Sequence, residues 1–139
     1  MHPTLVEELI AEEVERARAD GLLRDRIRLE QDGRSVLAHA RRGEADIVFS
    51  FYGPNYNAEP FQFAVVHPET EEPLPAAAWP PGLEFGSPHP SLALAWTCLL
   101  GTYEYHCHPS HLAEHWDRHR YNRDLPTLLS NVLQKAGCS

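Results

Sequence analysis

The stretch Trp79-Pro80-Pro81-Gly82-Leu83-Glu84-Phe85, continuing through His89-Pro90-Ser91 to Trp96-Thr97-Cys98-Leu99-Leu100, divides the chain into two unlike halves. Its first part, to Pro90, lies in a segment, residues 67–90, that holds seven of the twelve prolines. Proline fixes φ and has no backbone donor, so helix and central strand are excluded there. An ordered loop or extended chain is expected, with one short strand at Leu83-Glu84-Phe85. The apolar run from Leu92 to Tyr105 reads as a strand or as a buried loop, and periodicity does not separate the two.

Upstream of this segment the pattern is regular. Residues 4–20 carry Val6, Leu9, Ile10, Val14 and Ala17 at helical intervals; Thr4 and Glu7 have capping-box spacing, and Asp20-Gly21 is the expected stop. The period then becomes that of strands. Ile27 and Leu29 precede Asp32-Gly33, a two-residue hairpin signal, and Val36 and Leu37 follow it. Ile47-Val48-Phe49-Ser50-Phe51-Tyr52 is a strand ended by Gly53-Pro54, and Phe61-Gln62-Phe63-Ala64-Val65-Val66 is another, stopped by His67-Pro68. An antiparallel meander of four strands follows from this.

Downstream, two helices are expected. One starts near Pro109-Ser110 and runs to about His119. The other starts near Asp124, presents Leu125, Leu128, Leu129, Val132, Leu133 and Ala136 on one face, and ends before Gly137. The fold class is α+β. The 139 residues suit one domain, 1–139, with no repeat or linker.

Composition narrows the function. The formal net charge of -8 argues against nucleic acid, whose phosphates demand a clustered Lys/Arg excess. No apolar run approaches the roughly 20 residues that span a bilayer. Met1-His2-Pro3-Thr4 and the acidic residues after it have neither the basic nor the apolar region of a secretory leader, which points to a reducing cytoplasm and to free thiols. Glycine-rich phosphate loops and Gly-x-Ser-x-Gly elbows are absent from the sequence, so nucleotide chemistry and serine hydrolysis lack support.

Chemistry concentrates around two cysteines. Cys98 sits in the apolar Trp96-Thr97-Cys98-Leu99-Leu100, between the proline-ordered loop and a histidine-rich run. Cys107 is flanked directly by His106 and His108 and is the rival nucleophile; Cys138 lies one residue from the C-terminal Ser139 and reads as incidental. Five of the nine histidines fall between Tyr103 and His119. In a helix over 110–119, His111, His115 and His119 would share one stripe. Such a stripe is able to chelate a transition metal, with Cys107 or His108 completing a zinc site, although paired Cys-x-x-Cys knuckles and His-Glu-x-x-His are both lacking. The competing readings are histidines that pin a loop by hydrogen bonds and histidines that lower a thiol's pKa or relay its proton.

Taken in order, these features resemble the ubiquitin-conjugating family. The Gly53-Pro54 strand end, the Phe61-Gln62-Phe63 strand, Pro73-Leu74-Pro75 with Trp79 to Phe85, and His89-Pro90 with Cys98 nine positions later all follow its pattern. The departures are Ser91 in place of the family's asparagine, an N-terminal helix more acidic than the family's, and a long interval to Trp116. That residue lies 18 positions after Cys98 but nine after Cys107. With Trp116-Asp117-Arg118-His119-Arg120, they look more like divergent bacterial members, some of which are encoded beside ubiquitin-like, activating-enzyme-like and JAB-type peptidase proteins, in some cases in antiviral defence operons.

The resemblance implies a transferase that accepts a ubiquitin-like protein from an activating-enzyme homologue as a thioester. The nucleophile would be Cys98 (or Cys107), with His106, His108 and His111 as assistants, and the acceptor an amine on a target. It implies no cofactor and no metal, and a JAB-type peptidase as a pathway partner. The readings set against it are a catalytically inactive binding module of the same fold and a histidine-rich zinc-binding protein.

Overall fold

A computed structural model describes residues 2–138. The helix α1 spans Pro3–Ala19, one residue earlier than its spacing predicts. The cause is Pro3, whose fixed φ suits the first helical turn, so His2 becomes the N-cap and its Nδ1 accepts the Thr4 N–H at 3.1 Å. Val6, Ile10, Val14 and Ala17 are buried along one face, as the periodicity requires.

The strands β1 (Arg28–Asp32), β2 (Ser35–Arg42), β3 (Ala45–Tyr52) and β4 (Gln62–Val66) form one antiparallel sheet in chain order. Asp32 pairs with Ser35, so the first turn is made by Gly33-Arg34 rather than by Asp32-Gly33. Gly33 takes a positive φ of 60°, which places the glycine at the first turn position. Along β2 the alternation is clean, with Val36, Ala38 and Ala40 facing the core. At the end of β3, a Cβ on Gly53 would come within 2.8 Å of Tyr56 Cβ and 2.9 Å of the Phe61 ring, so the chain can leave the sheet there only through glycine. That close approach lets Tyr56 stack on Phe61, with ring centroids 4.0 Å apart.

The last helix, α3 (Leu125–Ala136), packs against α1. Its N-cap is Asp124, which accepts from Thr127 N–H at 3.2 Å, and Gly137 closes it in the left-handed conformation at φ 71°. Leu125, Leu128, Leu129, Val132, Leu133 and Ala136 are all buried. Between the two helices lies Glu13, 3% exposed, whose Oε1 accepts from both Tyr56 OH (2.7 Å) and Leu125 N–H (2.8 Å). Burial pushes its carboxyl above the usual range, while those two donors act in the opposite direction.

Two sequence expectations fail here. Leu83-Glu84-Phe85 is not a strand. The Leu83 and Glu84 N–H groups turn back onto the Pro80 carbonyl, and Leu83 plugs the core at 1% exposure. The proline segment is anchored by buried rings instead: Trp79 Nε1 donates to the Leu74 carbonyl and Trp96 Nε1 to the Ser87 carbonyl. The helix expected over Pro109 to His119 is absent as well. Two 3-10 turns, Pro109–His111 and Trp116–Arg118, stand in its place, so the described residues hold one long C-terminal helix and not a pair. Each turn is opened by an extended histidine, His108 at ψ 135° and His115 at ψ 134°, which interrupts any continuous helix. The apolar run from Leu92 is loop as far as Thr102 and enters a short helix at Tyr103. No helix among the described residues is long and apolar enough to cross a membrane.

A candidate thiol site beside the edge of the sheet

The outer edge of β4 positions the site. A short helix, α2 (Tyr103–His106), docks there: the Tyr103 N–H donates to the Phe61 carbonyl at 2.7 Å, and Glu104 Oε1 accepts the Phe63 N–H at 2.8 Å. An edge strand's unpaired groups are thus satisfied by α2 instead of by a fifth strand. Glu104 is 4% exposed, and burial raises its carboxyl to about 7. Thr102, fully buried, caps α2 and donates its hydroxyl to the Leu99 carbonyl, which fixes the loop carrying Cys98. Gly101 turns that loop at φ 103°, where an added Cβ would meet Leu128 Cδ2 at 2.8 Å.

Cys98 and Cys107 are both half-buried, and their surroundings differ. The Sγ of Cys98 lies 3.6 Å from His111 Nε2, and His111 Nδ1 lies 2.9 Å from Glu114 Oε2. The carboxylate holds the ring proton on Nδ1, which leaves the Nε2 lone pair facing the thiol. Tyr105 completes the group. Its hydroxyl donates to the same Glu114 Oε2 at 2.5 Å, and its ring stacks on His111 with centroids 3.9 Å apart and planes 12° from parallel. The Tyr105 hydroxyl, followed by His111, holds the Glu114 carboxyl below its usual range.

Cys107 has no such base. Its Sγ lies 3.5 Å from His89 Nε2, but His89 Nδ1 already accepts from the Ser91 and Leu92 N–H groups, each at 3.1 Å. The ring proton must therefore sit on Nε2, where it donates to the Glu104 carbonyl at 2.8 Å. A protonated Nε2 cannot take a proton from Cys107. The thiol donates to that carbonyl too, at 3.7 Å. His89, 1% exposed, is a loop clamp.

The other histidines separate in the same way. The Gly101 N–H donates to His106 Nε2 at 3.1 Å, and His106 Nδ1 donates to the Glu114 carbonyl at 2.9 Å, so both nitrogens are occupied. His108 Nδ1 accepts from Ser110, and its ring stacks on Trp96 at 5.0 Å. Burial lowers the pKa of both His106 and His108, which suits these neutral roles. Of the three expected assistants, only His111 faces Cys98. His115 is exposed, and the His111, His115, His119 stripe does not form without its helix. Among the described residues, no group of three or more His, Cys, Asp or Glu side chains is arranged to hold a metal ion.

Burial pushes the Cys98 thiol above its usual value; the Lys135 ammonium acts against this, and Glu114 adds to it. Cys107 is likewise raised by burial, with Glu104 adding to the rise. The histidine run does not lower either thiol overall, contrary to the expectation above. Cys98 therefore rests as a thiol and needs its base at the moment of attack. Cys138 is buried against the core, where its carbonyl accepts from Arg26. Ser91, in the asparagine position of the resemblance, is exposed, and its N–H is spent on His89. A groove of about 480 Å³ lined in part by Leu74, Trp79, Pro88 and Leu94 contains neither Cys98 nor His111.

Sequence reasoning missed Glu114, Tyr105 and the clamp role of His89. Only the i, i+3 spacing of His111 and Glu114 offered a signal, and it needs the turn at 109–114 to bring them together. No family model matches the chain, and no curated protein matches it.

Proposed function

We propose that the chain is a thiol acyl-transfer enzyme of the ubiquitin-conjugating type, with Cys98 as the thioester-forming nucleophile. The observation that carries this reading is the Cys98–His111–Glu114 arrangement, a hydrogen-bonded series of nucleophile, base and orienter that activates a thiol for covalent acyl transfer. Support also comes from the order of N-terminal helix, four-stranded antiparallel sheet, proline-anchored loop with His89-Pro90, Cys98 and C-terminal helix. Two features depart from the family's pattern: the strand ending at Gly53-Pro54 is third in order, and Leu83 to Phe85 is a turn.

In the proposed reaction the Cys98 S–H proton passes to His111 Nε2 as sulfur attacks the thioester of an activating-enzyme homologue. The acyl group of a ubiquitin-like protein moves to Cys98 and the donor thiol leaves with the proton. A target amine then attacks the new thioester while His111 accepts its proton, the acyl–Cys98 bond breaks, and the departing Cys98 thiolate takes that proton back from His111. Thioester exchange is nearly isoergonic, so positioning supplies most of the acceleration. His106 and His108 hold the loop and do not touch the reacting atoms.

The test is intact-mass analysis after incubation with a ubiquitin-like protein and its activating enzyme. The expected result is an adduct reversed by dithiothreitol, lost in Cys98→Ala and kept in Cys107→Ala. An adduct that persists in Cys98→Ala would overturn the assignment. Binding without any adduct on the wild-type chain would instead favour the inactive module.

A further inference from the structure

A base held against the nucleophile has a consequence for the lifetime of the acyl group. A thioester on Cys98 would place its carbonyl carbon one bond from Sγ, and Sγ is 3.6 Å from His111 Nε2. Any nucleophile approaching that carbon would come within hydrogen-bond reach of the same lone pair. The imidazole does not distinguish an amine from water. The side chains of His111 and Glu114 are 22% and 47% exposed, so water reaches the site. The chain also offers little to compete with water from within, since Lys135 is its sole lysine. Nothing in that arrangement reserves the base for an amine.

We infer that this site also hydrolyses: the chain is a thioesterase acting on peptidyl thioesters, the acyl class that the proposed transfer would place on Cys98. The inference rests on the Cys98 acyl-enzyme of that proposal and adds water as a second acceptor. In the first step the Cys98 proton goes to His111, the S–acyl bond forms, and the leaving thiol takes the proton from the imidazolium. In the second, His111 removes a proton from water as the oxygen attacks the carbonyl. The acyl–Cys98 bond breaks, the carboxylic acid leaves, and the thiolate recovers its proton. No oxidant, reductant or metal enters the balance. Glu114 holds the Nδ1 proton throughout, and Tyr105 holds Glu114.

The experiment uses the full chain and the benzyl thioester of acetyl-glycyl-glycine in amine-free buffer near neutral pH. It follows released benzyl thiol and free acid, together with the mass of the protein. Many equivalents of acid per chain are expected, with none from Cys98→Ala. His111→Ala should release acid at least about a hundredfold more slowly. Glu114→Gln, an exposed change that keeps the shape of the side chain, should lower turnover about tenfold and serves if His111→Ala fails to fold. A burst of one equivalent that leaves a stable acyl group on Cys98 would overturn hydrolysis while leaving acyl transfer standing. Absence of any acylation would remove both. Wild-type turnover in folded His111→Ala or in Glu114→Gln would also overturn the inference.

Discussion

The Nε2 of His111 lies 3.6 Å from the Sγ of Cys98, and this contact separates two thiols that the sequence leaves as rivals. Cys107 is as close to an imidazole, at 3.5 Å from His89, but that nitrogen carries its proton because Nδ1 accepts two backbone N–H groups. Proximity is equal and chemistry is not. The difference lies in what the far nitrogen of each ring touches.

Removing Cys107 should therefore leave acyl transfer intact, whereas removing its histidine should damage the fold. His89→Ala unpairs the part-buried Ser91 and Leu92 N–H groups and leaves the Glu104 carbonyl only the Cys107 thiol, and a loss of about 2 kcal/mol is expected. Urea denaturation of His89→Ala and Cys107→Ala checks this, and equal midpoints for the two variants would refute it.

Tyr105→Phe keeps the ring over His111 and removes the hydroxyl from Glu114. With its strongest depressing contact gone, the Glu114 carboxyl should titrate higher, toward its usual range. The acid limb of the rate profile for thioester turnover should then move to higher pH, with the plateau lowered only a few-fold because the base itself remains. An unmoved acid limb would show that Tyr105 serves packing alone.

Glu104 makes stability depend on pH. Its folded value, about 7, lies above that of an exposed glutamate, so the folded chain binds this proton more tightly than the unfolded chain. Below the unfolded value both states are protonated and there is no penalty. As pH rises toward 7 the unfolded state ionises first and stability falls, with a full cost on the order of 3 kcal/mol above that. Glu13, also raised by burial, acts in the same direction. Melting of wild type and Glu104→Gln from pH 5 to 8 should show the variant gaining relative stability as pH rises; a constant difference would contradict the assignment.

Thr97, beside the nucleophile, buries its Oγ1 without a hydrogen-bond partner among the described residues. An unpaired buried hydroxyl costs roughly 1–3 kcal/mol, so Thr97→Val should raise stability by about 1 kcal/mol and leave turnover unchanged. Thermal melting checks the first part and the thioester assay the second. Loss of turnover with gained stability would assign the hydroxyl a part in the chemistry.

Local rules were enough for the regular elements. Apolar spacing from Val6 to Ala17 and from Leu125 to Ala136, and the alternation along Val36, Ala38 and Ala40, follow from burying one face of a helix or sheet, and caps such as Asp124 and Gly137 are short-range chemistry. The same local reading failed at Pro109 to His119 and at Leu83 to Phe85. There histidine caps, prolines and buried rings settle the backbone, and periodicity carries no information about them.

The sequence by itself determined an α+β chain with a thiol set between a proline-anchored loop and a histidine-rich run. Which thiol has a base was decided by tertiary structure alone. A ring nitrogen is an acceptor or a donor according to the partner of its other nitrogen. For Cys98 that partner is the carboxylate of Glu114, and for Cys107 it is the backbone of Ser91 and Leu92. Both cysteines stand among histidines in the sequence; only the folded chain shows which nitrogen faces each sulfur.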